Sequence, residues 1–265
     1  MIRDRQVGLV WLGQSGFTLR FPTARVLIDP FLSRHPDRLV PPALNPAEAR
    51  GFEIVACTHE HLDHLDQAAL PLIAEASPTA LFIAPEPCVE VLITAGVPLK
   101  QIVGMQPDRP IECSGIEIHA VPACHGVHAA DAYNFGEKLS GGAVRFLGYV
   151  LRAGGVAVYH AGDTIAFDGL ADRLRKLRID LALLPINGRD PQREAKDIVG
   201  NLDADEAAQL AAESGAKTVI PMHYDMFAAN RGFPEELVER VRTTYPELAV
   251  MVPARGAEFI HTKTE

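Results

Sequence analysis

The sequence predicts an α+β fold in which two β-sheets pack together and helices cover their outer faces, giving four layers. Two observations predict it. Short apolar strands come first and helical segments follow, twice along the chain, which is the pattern of sheets that share one core. There are also no tandem repeats and no flexible linker. With 265 residues and 48 % hydrophobic content, we expect one domain over residues 1–265.

The first of these two successions of strands and helices begins with three short β-rich segments. They cover residues 7–12, 17–21 and 26–28, and turn residues separate them, which predicts an antiparallel meander. Residues 52–57 have the apolar composition of a buried strand. We expect a helix, a strand and a helix to follow over residues 67–76, 81–84 and 86–95.

The second succession of strands and helices contains more strands than the first. Apolar runs separated by turn residues indicate five of them, and a pair of glycines at Gly154 and Gly155 predicts a hairpin between the second and third. The five predicted strands cover residues 116–121, 145–152, 156–160, 181–184 and 218–220.

The helices of this second succession lie between and after these strands. Residues 170–177 have helical periodicity. Asp203 and Glu206 have the spacing of a capping box, and Gly215 is a typical residue at the end of the helix that follows. A last helix is expected to begin at Pro234, before a final strand near residues 248–252.

Composition excludes several classes of function. With a formal net charge of -9 the chain is not expected to bind nucleic acid, because phosphate backbones are bound by clustered Lys and Arg. No window has the roughly 18 to 20 apolar residues that span a bilayer. The first ten residues lack the apolar core of a signal peptide. We therefore expect a soluble, cytoplasmic protein without a membrane partner, its four cysteines reduced.

A dense polar cluster directly follows the strand predicted over residues 52–57. It reads HEHLDH from His59 to His64. Alternate residues of an extended segment point the same way, while Asp63 and His64 can turn toward a second point. Imidazole and carboxylate groups bind Zn²⁺, Mn²⁺ and iron. The cluster therefore predicts ligands for two metal ions.

Three isolated polar residues complete the set. His125, Asp163 and His223 each follow an apolar strand and precede a break, so packed sheets would bring them toward the first cluster. The predicted assignment is metal one by His59, His61 and His125, metal two by Asp63, His64 and His223, and Asp163 as the bridging carboxylate.

Two divalent ions, Zn²⁺ or Mn²⁺, would supply hydrolytic chemistry. Two cations a few ångströms apart lower the pKa of a shared water, so that a bridging hydroxide forms near neutral pH and attacks a carbonyl carbon or phosphorus. Asp163 would hold the ions together and Asp63 would orient the nucleophile, which makes these two the predicted catalytic residues. No serine or cysteine nucleophile is required.

These residues resemble the metallo-β-lactamase superfamily. Its HxHxDH signature matches residues 59–64, and the order of its later ligands matches His125, Asp163 and His223. The resemblance covers nearly the whole chain and implies a four-layer αβ/βα sandwich. It also implies that Asp29, at a strand end, supports the ligands from behind.

Further segments resemble the L-ascorbate-6-phosphate lactonase-like (UlaG-like) group of that superfamily. They are residues 11–13, 29–31, 184–189 and 221–225. Two features depart from the group's pattern: its authentic lactonases are longer, and relatives often have histidine where this chain has Gln14. The resemblance implies a small anionic ester or lactone as substrate, with L-ascorbate 6-phosphate or a related sugar lactone phosphate to be tried first.

Several polar residues lie near the predicted ligands. Asn187 and Arg189 end a strand at the metal edge, where an arginine can grip a phosphate or carboxylate with two hydrogen bonds, so substrate contact is predicted. Asp66 and Asp225 can accept hydrogen bonds from ligating imidazoles. His128, three residues after a predicted ligand, is an alternate ligand or a substrate donor.

Two other functions fit the same residues. A phosphodiesterase would use the same nucleophile on phosphorus, and comparing a lactone with a phosphodiester separates the two. A non-catalytic metal-binding protein would hold metal without turnover, and the complete ligand set argues against it. Loops that form such pockets can be completed by a second subunit, so a homo-oligomer is a further prediction.

Overall fold

Two seven-stranded sheets form the centre of the structure, a computed structural model that describes residues 2–125, 144–196, 198 and 200–264. The first sheet starts with β1 (Gln6–Gly13), β2 (Gly16–Arg20), β3 (Arg25–Ile28), β4 (Ile54–Ala56), β5 (Leu81–Pro85) and β6 (Ile102–Met105). The second contains β7 (Ile111–Cys113), β8 (Ile116–Pro122), β9 (Leu147–Ala153), β10 (Val156–His160), β11 (Leu181–Pro185), β12 (Thr218–Met222) and β13 (Ala249–Val250). The last strand, β14 (Glu258–Thr262), returns to the first sheet and pairs with β1.

Helices cover the outer faces of both sheets. They are α1 (Leu70–Ala76), α2 (Val89–Ala95), α3 (Leu170–Lys176), α4 (Pro191–Glu194), α5 (Ala204–Ser214) and α6 (Pro234–Thr244). Short 3₁₀ turns lie at Pro46–Glu48, Glu86–Cys88 and Leu99–Gln101. In the described part of the chain, no helix has the length and apolar composition needed to cross a membrane.

The layers follow from where the apolar side chains are buried. Leu19 of β2 and Tyr149 of β9 belong to one core that fills the space between the sheets. On the outside of the first sheet, Ile73 of α1 and Leu92 of α2 pack in a second apolar cluster with Phe82. Helix α5 contacts β11 and β12 on the outside of the second sheet. The predicted four-layer αβ/βα sandwich is thereby confirmed.

Strand direction places several strand ends on one edge. Strands β3 to β6 are parallel neighbours, as are β10 to β13. Strand β9 is antiparallel to both β8 and β10, so β8 runs in the same direction as β10. The carboxyl ends of β8, β10, β11 and β12 therefore lie along the same edge of the second sheet.

Most of the predicted elements are confirmed. The opening meander, the hairpin at Gly154 and Gly155 and the capping box are all present. In the capping box, Asp203 Oδ1 accepts from the Glu206 backbone N–H at 2.8 Å, and Gly215 adopts φ +80° at the C-cap.

The differences have local causes. Helix α1 begins at Leu70 rather than residue 67, because Asp66 Oδ1 accepts from the Ala68 and Ala69 backbones and holds them in a turn. Strands β6, β7 and β14 were not predicted. Strand β14 is partly exposed, and three of its five residues are polar (Glu258, His261 and Thr262), so its sequence lacks the apolar run that predicts a buried strand.

Candidate metal centre

The side chains predicted as metal ligands come together where the strand ends meet. Residues 59–64 follow β4 of the first sheet, and the other three ligands follow β8, β10 and β12 of the second. Their nitrogen and oxygen atoms form two groups, and within each group the atoms lie no more than 4.8 Å apart. The first group contains His59, His61, His125 and Asp163, and the second contains Asp63, His64 and His223.

The first group is built around His61. Its Nδ1 lies 2.9 Å from His59 Nε2 and 3.2 Å from His125 Nε2. His59 and His125 are buried, so these nitrogens converge in a space that the protein largely closes off from solvent.

The second group is anchored by Asp63. Its Oδ2 lies 3.3 Å from His223 Nε2 and 3.7 Å from His64 Nε2. Both histidines are buried, whereas the Asp63 side chain keeps 18 % of its exposure. Within this group, Asp63 is therefore more accessible to solvent than His64 and His223.

Asp163 faces both groups at once. Its Oδ2 lies 3.4 Å from His125 Nε2 and 3.3 Å from His223 Nε2, while its Oδ1 lies 3.2 Å from His64 Nε2. Gly162 makes this position reachable: it adopts φ +61°, and an added Cβ would lie 2.7 Å from Thr58 Cβ. The carboxylate thus occupies the place that was predicted for a bridging ligand.

The chemistry and spacing of these donors suit divalent metal ions. Two ligands at about 2.1 Å from one tetrahedral ion are about 3.4 Å apart, close to the 3.2–3.7 Å separations that Asp63 and Asp163 make with His64 and His223. Five imidazoles and two carboxylates are also the ligand types that Zn²⁺ and Mn²⁺ accept. A cation would stabilise two carboxylates that are otherwise costly to bury.

The electrostatics divide the histidines into two kinds. Burial lowers the pKa of His59 and of His61, and it lowers the pKa of His125 to about 3. Burial acts in the same direction on His64 and His223, but the neighbouring carboxylates outweigh it. Asp163 and Asp63 raise the pKa of His64 well above its usual value and the pKa of His223 to about 9.

The pKa values of the two carboxyl groups are shifted in the opposite direction to those of His64 and His223. Burial alone would raise the pKa of Asp63 and Asp163. His64 and His223 overcome that effect, and both carboxyl groups have lowered pKa values. Without metal, protons on two imidazoles therefore balance two carboxylates, and bound cations would replace those protons.

Asp29 supports the centre from behind, as the resemblance implied. Its Oδ2 lies 2.7 Å from His64 Nδ1, and its two oxygens accept from the Thr58 backbone N–H at 2.8 Å and the Thr58 hydroxyl at 2.7 Å. Asp29 is fully buried and adopts φ +45°. These contacts orient His64 so that its Nε2 faces the centre.

The predicted roles of Asp66 and Asp225 were wrong. Asp66 accepts from the backbones of Leu32 and Ser33 at 2.9 and 2.6 Å, besides capping the turn before α1. Asp225 accepts from the backbone N–H of Gln14 at 2.9 Å. Neither carboxylate has a hydrogen bond to a ligating imidazole among the contacts described, because backbone N–H groups occupy them.

Asn187 and Arg189 are likewise engaged by the protein itself. Arg189 makes a bidentate ion pair with Glu206, with both nitrogen–oxygen distances 2.6 Å, and it also donates to the Asn201 carbonyl. The Asn187 amide bonds to the amides of Asn201 and Asn230 at 3.0 and 2.8 Å. The predicted contact of Arg189 with a substrate anion is therefore corrected, because its guanidinium group already binds the carboxylate of Glu206. His128 lies outside the described residues.

Gln14 was not predicted as a site residue. It lies in the turn between β1 and β2 and is 1 % exposed. Its Nε2 donates to Asp63 Oδ2 at 2.7 Å and lies 3.0 Å from His223 Nε2. No ligand-type residue surrounds it in this sequence, and the available signal was the histidine that relatives of the lactonase-like group often have at this position.

Comparison with known proteins places this arrangement in a family. A sequence model described as the beta-lactamase superfamily domain matches residues 24–224. A "UPF0173 metal-dependent hydrolase" of Methanoculleus marisnigri is 33 % identical over 251 residues, which cover 94 % of this chain and 96 % of that protein.

Two further comparisons are more distant. A "probable L-ascorbate-6-phosphate lactonase UlaG" of Salmonella heidelberg is 28 % identical over 205 residues, covering 76 % of this chain but only 56 % of the lactonase. The structure of Igni18, a metallo hydrolase from Ignicoccus hospitalis, has a TM-score of 0.73 at 24 % identity and covers 98 % of this chain and 100 % of that one, which shows a shared fold. The range matched by the superfamily domain contains all seven predicted metal ligands, and the chain belongs to the beta-lactamase superfamily.

Proposed function

We propose that this protein is a metal-dependent hydrolase that binds two divalent ions, Zn²⁺ or Mn²⁺, and acts on a small anionic ester or lactone. The observation that carries the proposal is the position of Asp163, whose two oxygens face His64 on one side and His125 and His223 on the other. One carboxylate shared by two groups of ligands is the arrangement that holds two cations close together.

When bound, two ions supply a nucleophile from water near neutral pH and polarise the oxygen of the group under attack. The chain's own residues provide the rest. Asp163 keeps the two groups in register. Asp63 retains partial exposure and a lowered pKa, so it stays anionic and can orient a water at the mouth of the centre. His59, His61, His64, His125 and His223 serve as ligands, and Asp29 orients one of them.

A groove with basic side chains lies in the segment that follows β3 and Asp29, and it favours an anionic substrate. It has a volume of about 980 Å³, and its lining consists of residues 32–35, 38–46, 68, 69 and 72, which include Arg34, His35 and Arg38. Arg38 stacks over Phe31 at 4.3 Å, two residues after Asp29 in the chain. Basic groups at this place favour a phosphate or carboxylate on the substrate.

The lactone itself is suggested by similarity alone. The Salmonella relative is named as a probable lactonase of L-ascorbate 6-phosphate. That compound combines a lactone with an anionic phosphate, so it is the substrate to test first.

We also propose, from the sequence alone, a cytoplasmic location, a homo-oligomer and one domain over residues 1–265.

The test is acid release from L-ascorbate 6-phosphate by protein loaded separately with Zn²⁺ and Mn²⁺. Asp163→Ala should abolish turnover. Asp180→Ala is the matched control, since Asp180 is also buried but holds the Ala157 backbone at the start of β10, away from the centre. Activity that persists in Asp163→Ala would contradict the proposal.

Two comparison arms separate the alternatives. Turnover of bis(p-nitrophenyl) phosphate without turnover of the lactone would replace the ester hydrolase by a phosphodiesterase. Bound metal with no turnover of either compound would favour the non-catalytic metal-binding protein.

A further inference from the structure

The backbone of Gln14 is held from three sides. Its N–H donates to Asp225 Oδ1 at 2.9 Å. Its carbonyl accepts from the Trp11 indole at 3.0 Å and from the His223 backbone N–H at 2.9 Å. Gln14 also adopts φ +51°, a left-handed conformation that non-glycine residues adopt only when their surroundings impose it. The fold therefore directs this side chain to one place.

That place is the second ligand group. The amide Nε2 donates to Asp63 Oδ2, the same oxygen that lies 3.3 Å from His223 Nε2. The other end of the amide, Oε1, is buried and has no hydrogen-bond partner in the part of the chain that the structure describes. The hydrogen bond that the amide makes in this place is therefore the one from its Nε2 to Asp63.

Two histidines and one amide lie close to Asp63 Oδ2: His223, His64 and Gln14. The Asp63 side chain is 18 % exposed, and the Gln14 amide is the neutral donor that holds its Oδ2 beside the two histidines. A carboxylate oxygen has more than one lone pair, so Oδ2 can accept from the amide and still face a cation. The Gln14 amide therefore adds a restraint on Asp63 Oδ2 that does not depend on protons held by the histidines.

We infer that Gln14 is a positioning residue of the metal centre, which holds Asp63 in the orientation that one of the two ions requires. This inference rests on the proposed two-ion centre. It assigns a function to a residue that has neither the chemistry of a usual ligand nor a place in the HxHxDH cluster. It predicts that Gln14 affects binding of one ion and leaves the other unchanged.

The experiment is a Zn²⁺ titration of metal-free protein against a chromogenic chelator, comparing wild type with Gln14→Met and Gln101→Met. Methionine keeps the volume of glutamine but donates no hydrogen bond. Gln101 is the matched control, since it is buried and its amide bonds only backbone carbonyls of Ser77 and Ala80 among the contacts described. We expect the weaker Zn²⁺ equivalent to bind about 10- to 100-fold less tightly in Gln14→Met, with the tighter equivalent and Gln101→Met unchanged.

A second variant tests the same inference if Gln14→Met does not fold. Asp225→Asn weakens the contact that holds the Gln14 backbone, and it should reduce the same Zn²⁺ affinity by a smaller factor. Wild-type affinity for both equivalents in Gln14→Met would overturn the inference while leaving the two-ion centre intact. A wild-type protein that binds fewer than two Zn²⁺ would overturn the centre and the inference together.

Discussion

Asp29 Oδ2 lies 2.7 Å from His64 Nδ1, and both side chains are fully buried. The Thr58 hydroxyl donates to the same Asp29 oxygen at 2.7 Å. This contact holds Nδ1 of the His64 ring toward Asp29 and leaves Nε2 to face Asp63 and Asp163. The orientation of one ligand is thus set by a residue that lies on a different strand end.

We expect Asp29→Asn to weaken metal binding by about 10- to 100-fold, because asparagine is a weaker acceptor and no longer fixes the His64 ring. The measurement is Zn²⁺ affinity by chelator competition. Asp180→Asn is the matched control, since its buried carboxylate serves the Ala157 backbone instead. Equal loss of affinity in both variants would show that general destabilisation, rather than the His64 contact, is responsible.

The ion pair of Arg189 with Glu206 gives a prediction about stability. Arg189→Met should lower the free energy of unfolding by about 1 kcal/mol, because both partners are partly exposed, with 26 % side-chain exposure each. The value of kcat/KM on an anionic substrate should change less than about twofold. Urea unfolding and steady-state kinetics measure the two quantities. A tenfold rise in KM would restore the predicted substrate contact of Arg189.

Metal binding should release protons. At pH 7.5 both His64 and His223 hold a proton in the metal-free protein, because nearby carboxylates raise their pKa values, that of His223 to about 9. Loading the centre should therefore release about two protons from these histidines, and about one more when a water between the ions becomes hydroxide. Calorimetric titration in buffers with different ionisation enthalpies measures that number. A binding enthalpy that is independent of the buffer would contradict it.

The same histidines make the stability of the metal-free protein depend on pH. His223 has a usual pKa of 6.5 and a folded pKa of about 9, so its contribution is fully present below pH 6.5 and is lost as the pH rises through 9. That loss amounts to about 3 kcal/mol. Thermal unfolding of metal-free protein from pH 6 to 10 should show it. Zn²⁺-loaded protein, in which metal replaces the protons, should show a much smaller change.

Gly162 is required for both its conformation and its lack of a side chain. In Gly162→Ala, an added Cβ meets Thr58 at 2.7 Å in addition to the strain of φ +61°. Gly169→Ala separates these effects, since Gly169 has φ +87° but nothing within 4 Å of an added Cβ. We expect Gly169→Ala to cost about 1–2 kcal/mol and Gly162→Ala to cost about 1–3 kcal/mol more. Equal unfolding free energies would show that the Thr58 contact adjusts freely.

The sequence predicted which polar residues meet at the sheet edge, because each of them follows a strand. His125, Asp163 and His223 lie just beyond β8, β10 and β12, and apolar runs predict that these strands exist. The direction of the strands then brings these ends to one edge. The fold was predictable for the same reason, except at polar or short strands such as β7 and β14.

Residues whose roles depend on distant contacts were not predictable. Gln14 reaches Asp63 across 49 positions and His223 across 209, and no local pattern records such a meeting. Arg189 was misread because its partner, Glu206, was identified only as part of a helix cap. The Glu206 carboxylate does both: it pairs with Arg189, and it accepts a hydrogen bond from the Asp203 backbone N–H at 3.1 Å.

The ligands are divided between the two sheets: residues 59–64 extend from the first, and His125, Asp163 and His223 extend from the second. Sliding one sheet against the other by even 1 Å would change the separations of 3.2–3.3 Å between ligands of the two sheets. Metal affinity is thus a readout of how well the two halves of the molecule are aligned. A cavity made in the shared core, for example by Leu19→Ala, should therefore weaken metal binding from a distance, and chelator competition can detect that effect.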